Sequence, residues 1–89
     1  MNIHLDASKR IRQNLKRRLR NRSYRTRIRN QVKAVRTAVN EGNVDQAQTA
    51  LRGAMSVLHK GASKGVIHRN QAARRIARLN ASVKTLALG

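Results

Sequence analysis

Arginine gives this chain its clearest chemical capability. The 89 residues include 15 arginines and 6 lysines but only 3 acidic residues, so the formal net charge is +18. The planar guanidinium group pairs with phosphate through two parallel hydrogen bonds, and a surface this basic concentrates polyanions around it. The composition therefore predicts a nucleic-acid partner first and an anionic membrane second, and it argues against a small neutral substrate.

Side chains that could support catalysis or bind a metal are sparse. The three carboxylates are scattered, so they form no evident acid–base pair. His4, His59 and His68 lie far apart, with no Cys or carboxylate at ligand spacing, and the absence of Cys removes thiolate nucleophiles and disulfides. We therefore predict no enzymatic activity, no metal ion, no cofactor and no small-molecule substrate.

The elements that must position the arginines are predicted to be helices. The chain has one aromatic residue and no proline, and no apolar run is long enough to span a membrane. Gly42, Gly61 and Gly65 mark two turns. We predict a single domain over residues 1–89, an all-α antiparallel three-helix bundle with a long, basic, projecting first helix. Its parts are an N-terminal tip at residues 1–7 and helices at residues 8–40, 44–60 and 67–86.

Each predicted helix carries an apolar stripe that would face a common core. Asp6 or Ser8 is the expected N-cap of the first helix, and Asn43 with Gln46 resembles a capping box at the start of the second. Apolar residues recur at intervals of three and four, which places them on one helical face. The stripes consist of Ile28, Val32, Val35 and Val39 in the first helix, Ala47, Leu51, Ala54, Met55 and Leu58 in the second, and Ala72, Ala73, Ile76, Leu79, Val83 and Leu86 in the third.

The first half of the first helix differs from its second half. At about 100° per residue, Ile11, Leu15 and Leu19 point away from the apolar stripe of the second half, so the first half must project beyond the bundle. Residues 1–36 hold 13 of the 21 cations and one acid. Like charges without acidic partners destabilise an isolated helix. We therefore expect residues 2–22 to be largely disordered without a polyanion and to become helical when one binds.

The cations of this segment form ridges that surround the helix. Short polar side chains that can reach phosphate or ribose are interleaved with them. Tyr24 is the only aromatic residue, and we expect it to pack over the end of the bundle, because single-strand binders usually offer several aromatics. The ridges are Arg18, Arg22, Arg25 and Arg29; Lys9, Lys16, Arg20 and Arg27; and Arg10 with Arg17; the interleaved residues are Gln13, Asn14, Asn21 and Ser23.

The third predicted helix offers a second basic surface. His68, beside Arg69 and Asn70, is a candidate contact to a phosphate or a base. Three further arginines lie on the face opposite the apolar stripe. They are Arg74, Arg75 and Arg78.

Other interpretations of the basic segment fit less well. A solvated, disordered tail is more often rich in lysine than in arginine, and a membrane-surface helix needs its cations on one face. A transit peptide would lead into a separate domain, whereas this segment continues into a core-facing helix. A nucleoid-type architectural DNA-binding protein remains the alternative, because phosphate neutralisation does not by itself distinguish one duplex from another.

Two stretches of the sequence carry a family resemblance. The resemblance covers nearly the whole chain, and its second stretch is the more specific. The stretches are Ser8-Lys9-Arg10-Ile11-Arg12-Gln13-Asn14 with Lys16-Arg17-Arg18 and Arg20-Asn21-Arg22-Ser23, and then Ala62-Ser63-Lys64-Gly65-Val66-Ile67-His68-Arg69-Asn70-Gln71-Ala72-Ala73-Arg74-Arg75. They resemble the bacterial small-subunit ribosomal protein number twenty, the bS20 family.

The resemblance implies a function and a set of partners. Members of the family are three-helix bundles with a long first helix that bind small-subunit ribosomal RNA directly during early assembly. The implied partners are this RNA and other small-subunit components in the cytoplasm, with no membrane and no homo-oligomer. The rRNA-binding residues expected from the basic surfaces and the resemblance together are Lys9, Arg10, Arg12, Gln13, Asn14, Lys16, Arg17, Arg18, Arg20, Asn21, Arg22, Ser23, Arg25, Arg27, Arg29, Lys64, His68, Arg69, Asn70, Arg74, Arg75 and Arg78.

Overall fold

The computed structural model describes the backbone of residues 3–89 and the side chains from residue 8 onward. Within this range the chain forms three α-helices, α1 (Ile3–Asn40), α2 (Val44–Ser63) and α3 (Arg69–Leu88), and no strand. The predicted all-α bundle with a long first helix is therefore confirmed. The first two residues of the predicted N-terminal tip lie outside the described residues, as do the side chains of the rest of the tip.

The start of α1 differs from the prediction. The helix already includes Ile3, so Asp6 and Ser8 both lie inside it and neither is its N-cap. No glycine or proline occurs between Ile3 and Ser8 to interrupt the helix, and the intrinsic cost of extending it there is small. The expectation that Asp6 or Ser8 caps α1 was wrong.

The turn between α1 and α2 is built as the sequence predicts. Gly42 has a φ of 72°, the left-handed conformation that glycine adopts at little cost. The amide of Gly42 donates to the carbonyl of Val39 and the amide of Asn43 to that of Ala38, which is the Schellman arrangement that satisfies the last carbonyls of a helix. Asn43 then caps α2, because its Oδ1 accepts from the amide of Gln46 at 3.1 Å.

The second turn begins later than predicted. Gly65, with a φ of 73°, ends α2 in a second Schellman arrangement, in which the amide of Val66 donates to the carbonyl of Gly61 at 2.8 Å. Gly61 is buried inside the last turns of α2, where a Cβ would lie 3.1 Å from Cδ1 of Ile28. It therefore serves close packing between α1 and α2 instead of ending the helix. As a result α2 reaches Ser63 and α3 begins at residue 69 instead of 67.

The core is aliphatic and lies where the second half of α1 packs on α2 and α3. Most of each predicted stripe is buried or half-buried there, but Ala73 is exposed, so its assignment to the apolar face of α3 was wrong. Ala38 and Val66 are buried although neither belongs to a predicted stripe. The buried apolar residues are Ile28, Val35, Ala38, Ala47, Leu51, Ala54, Leu58, Val66, Ala72, Leu79 and Val83.

Two glycine substitutions should have opposite effects on stability. Gly53 lies within α2, and a Cβ there would meet only the Oε1 end of the Gln31 side chain, at 2.7 Å, which can rotate away. Gly53→Ala should therefore raise the free energy of unfolding by up to about 1 kcal/mol, the difference in helix propensity. Gly42→Ala should lower it by about 1–2 kcal/mol, because alanine resists a positive φ. Urea denaturation measures the free energy of unfolding of both variants. If the two substitutions changed it in the same direction, the roles assigned to Gly53 and Gly42 would be wrong.

Candidate nucleic-acid interface

The first half of α1 projects from the bundle. Every side chain from Ser8 to Arg20 is exposed, and Asn21 is the first to be half-buried. The apolar residues Ile11, Leu15 and Leu19 have 67%, 55% and 58% of their surface exposed. This confirms that the apolar residues of this half do not pack against the other helices. The molecule is correspondingly elongated, with principal extents of 67 × 21 × 13 Å. We call residues 8–20 the projecting segment.

The predicted RNA-binding side chains of α1 are accessible. Apart from Asn21, all of them are exposed, and residues 8–40 contain no acid that could neutralise them internally. A basic surface that wraps the whole circumference of a helix can be neutralised only by anions on several sides. The exposed residues are Lys9, Arg10, Arg12, Gln13, Asn14, Lys16, Arg17, Arg18, Arg20, Arg22, Ser23, Arg25, Arg27 and Arg29.

We expect amide exchange to differ between the two halves of α1 in the isolated protein. The projecting segment buries no side chain and repels itself, so its amides should exchange rapidly. Amides around Val35, which is fully buried, should be protected. Hydrogen exchange followed by NMR or mass spectrometry measures this contrast. Strong protection throughout residues 8–20 would show that the segment is a stable helix on its own.

The projecting segment joins the bundle at Tyr24. The guanidinium carbon of Arg27 lies 5.6 Å from the centre of the Tyr24 ring, and Nζ of Lys64 lies 5.9 Å from it. Both distances are within the range of cation–π attraction. Nη2 of Arg20 also donates a long hydrogen bond, 3.5 Å, to the carbonyl oxygen of Lys64. The aromatic ring therefore ties the turn before α3 to α1, which agrees with the packing role predicted for it.

His68 has a structural role that the sequence analysis missed. It is the N-cap of α3, and its Nδ1 accepts a hydrogen bond of 3.1 Å from the amide of Asn70. In the neutral ring the proton must then be on Nε2, which is left as a donor. Because His68, Arg69 and Asn70 are all exposed, they can present donors beside a helix N-terminus, where negative charge is favoured. Histidine is an uncommon N-cap, so its sequence position alone did not reveal the role.

Substitution of His68 should separate capping from RNA contact. His68→Ala should lower the free energy of unfolding by about 0.5–2 kcal/mol, because the amide of Asn70 loses its acceptor. His68→Asn should retain the stability, since a carboxamide oxygen can accept the same bond, while the imidazole Nε2–H donor is replaced by a shorter amide donor that should weaken RNA binding. Urea denaturation together with RNA titration distinguishes the two variants. If the asparagine variant were as unstable as the alanine variant, the cap would not be the source of the stability.

A cleft lies between α1 and α3. These two helices contact each other much less than α1 contacts α2. The cleft has a volume of about 810 Å³. Its apolar floor includes Val32 and Ile67, both half-buried, and the exposed Gln71 lies among them. None of its lining residues is acidic. Cations on both sides form its rim, which we call the cationic rim: Arg25, Arg29, Lys33 and Arg36 from α1, and Arg75 and Arg78 from α3.

The cleft adds two residues to the candidate interface. Lys33 and Arg36, which the sequence analysis did not include, join Arg25 and Arg29 on the rim. Their spacing from the predicted ridge would have revealed them, because both continue it at helical intervals. Arg74 is exposed on α3 but does not line the cleft.

The described residues lack two other kinds of site. Over residues 3–89, no helix combines the length and the apolarity needed to cross a bilayer. The described part of the chain also contains no group of three or more His, Cys, Asp or Glu residues placed to hold a metal ion. The arrangement that the structure does provide is an extended cationic surface with a cleft at its bundle end.

Comparison with known proteins assigns the family. The model of the family described as ribosomal protein S20 matches residues 3–84. The small ribosomal subunit protein bS20 of Helicobacter acinonychis (strain Sheeba) is 53% identical over 85 residues, which cover 96% of each chain. The bS20 protein of Oleidesulfovibrio alaskensis is 56% identical over 80 residues, covering 90% of this chain and 92% of its own. That of Wolinella succinogenes is 54% identical over 83 residues, covering 93% and 91%. Matches of this extent and identity show that the chain belongs to the bS20 family of small ribosomal subunit proteins.

Proposed function

We propose that this protein is a non-enzymatic structural constituent of the small ribosomal subunit that binds small-subunit ribosomal RNA directly and stabilises its fold during assembly. The observation that carries the proposal is the projecting segment, which is exposed on every side and rich in arginine. Among the described residues, its one hydrogen bond to the bundle is the long contact of Arg20 with the carbonyl of Lys64, and only a polyanion that surrounds the segment can compensate its charge. Membership of the bS20 family supports a location in the small ribosomal subunit. For the same reason we propose that the protein is located in the bacterial cytoplasm.

The proposed mechanism is charge neutralisation combined with control of RNA shape. Paired RNA has a deep, narrow major groove that side chains read poorly, so phosphates and ribose hydroxyls are the accessible targets. Helix α1 would lie between RNA elements and bring their phosphates together on its opposite sides. Helix α2, which carries few cations, holds α1 and α3 in a fixed relation through the aliphatic core. The interface is thus made by α1 and α3, and the bundle sets the angle between them.

Sedimentation of tagged protein through a sucrose gradient tests this proposal. We expect the protein to migrate with small subunits at a salt concentration that removes loosely bound basic proteins. A variant in which Arg18, Arg22 and Arg25 are replaced by Gln should shift toward the top of the gradient. Recovery of the parent protein with genomic DNA instead would support the architectural DNA-binding alternative, and recovery with anionic liposomes would support a membrane role. Either result would reject the proposal.

A further inference from the structure

The α1–α3 cleft is the feature of the molecule that charge neutralisation alone leaves unexplained. A surface that only contacts phosphates needs no apolar floor, yet Val32 and Ile67 remain partly exposed between two rows of cations. Resting on the proposed RNA-binding function, we infer that the cleft receives an unpaired nucleotide of the bound RNA. Its base lies on the aliphatic floor, and the phosphates on either side of it lie on the cationic rim.

The position of the cleft along α1 supports this occupant. The ridge formed by Arg18, Arg22, Arg25 and Arg29 continues through Lys33 to Arg36 with spacings of 4, 3, 4, 4 and 3. The 18 steps from Arg18 to Arg36 complete five helical turns, so the ridge keeps one direction over about 27 Å. An RNA strand that follows this ridge from Arg18, near the end of the projecting segment, is therefore led into the cleft.

The chemistry of the lining favours an unpaired base over a duplex. A duplex presents phosphates and sugars, so it would leave the apolar floor in contact with water. A base that has left its stack exposes a flat, weakly polar face that can cover Val32 and Ile67, as apolar side chains cover extruded bases in other nucleic-acid complexes. Gln71, exposed in the same cleft, carries both a donor and an acceptor that match a base edge.

The charges of the cleft agree with this orientation. Five of the six cations on the rim are arginines, and they come from both α1 and α3. Arginine can pair with a phosphate and can also stack its planar group on a base. An acidic amphipathic protein segment would also match the charge, but the continuity of the ridge with the projecting segment favours RNA.

Two short RNA hairpins test the inference. They are identical except that one carries a single unpaired adenosine in its stem. The parent protein should bind the bulged hairpin about tenfold more tightly than the paired one, a gain of the size expected when a base covers two partly exposed aliphatic side chains. Gln71→Glu, which places an acid among the arginines, should abolish this preference. Gln48→Glu is the matched control, because it makes the same charge change on an exposed position of α2 outside the cleft, and it should preserve the ratio.

The outcomes separate this inference from the proposed function. Equal binding of both hairpins by the parent protein, with binding to ribosomal RNA intact, would overturn the cleft assignment alone. Failure to bind any of these RNAs would overturn the proposed function as well. Circular dichroism of both glutamate variants shows whether the fold is retained.

A cross-linking experiment covers the case in which the hairpins bind elsewhere on the surface. The chain has no cysteine, so Gln71→Cys provides a unique attachment point for a photoactivatable group. In the complex with small-subunit ribosomal RNA, we expect the cross-link at an unpaired nucleotide. A cross-link confined to paired nucleotides would overturn the inference. So would a result in assembled small subunits in which Gln71→Cys cross-links only to other proteins and not to RNA. Gln48→Cys serves as the control for labelling outside the cleft.

Discussion

Replacing Arg18, Arg22 and Arg25 with Gln should weaken RNA binding and flatten its dependence on salt by about 2–3 units of slope. If about half of the 13 cations in residues 1–36 contact phosphates, the parent protein should show a slope of about −5 or steeper for log affinity against log salt concentration. The reason is that each neutralised phosphate releases condensed counterions. Filter binding or fluorescence titration across a range of salt concentrations gives the slope.

The matched control removes the same charge elsewhere. Arg52, Lys60 and Lys84 are exposed and belong neither to the projecting segment nor to the rim of the cleft. Their joint replacement by Gln lowers the net charge by the same amount. It should reduce RNA affinity modestly and leave the slope of log affinity against log salt concentration almost unchanged. Equal slopes for the two triple variants would show that the arginine ridge on α1 acts only through net charge and makes no direct phosphate contacts.

A core substitution and a rim substitution should have opposite consequences. Leu58 is fully buried on α2, so Leu58→Ala should lower the free energy of unfolding by about 2–5 kcal/mol. Its effect on RNA binding should arise from unfolding alone. Arg75 and Arg78 are exposed on α3 and line the cleft. Replacing both with Gln should leave the stability of the free bundle unchanged or slightly raised, because repulsion is relieved, while RNA affinity falls several-fold or more.

Thermal or urea denaturation combined with RNA titration checks this contrast. RNA affinity of Leu58→Ala should recover when binding is measured at low temperature, where the folded fraction is higher. If the variant with both arginines replaced melted much earlier than the parent and still bound RNA normally, these arginines would be structural. The assignment of α3 to the RNA interface would then be wrong.

The apolar periodicity was sufficient to locate most of the core, because helical spacing determines which residues share a face. Val35, Leu58 and Leu79 are buried as predicted, and Ile11 and Leu15 are exposed as predicted. The exposure of the projecting segment followed from the same reasoning. These features depend on local helix geometry, which the sequence encodes directly.

Two of the features that were missed depend on contacts between helices, and the third is a local cap. Gly61 looks like a helix terminator, but its lack of a side chain is used for close packing against Ile28. The sparse contact between α1 and α3, which leaves the cleft beside Lys33, does not show in the apolar periodicity of the sequence. The cap formed by His68 requires its ring to fold back over Asn70, which propensity alone does not indicate. Tertiary packing therefore decided both the second turn and the bundle end of the interface.

Titration of the purified protein with protein-free small-subunit ribosomal RNA, at near-physiological salt and with duplex DNA as competitor, tests the central claim most directly. We predict specific binding that excess duplex DNA does not displace, with RNA protections that require the arginines of the projecting segment. Binding that duplex DNA abolishes at comparable concentration, or that is the same for any RNA of equal length, would contradict direct and selective recognition of the small-subunit RNA by this protein.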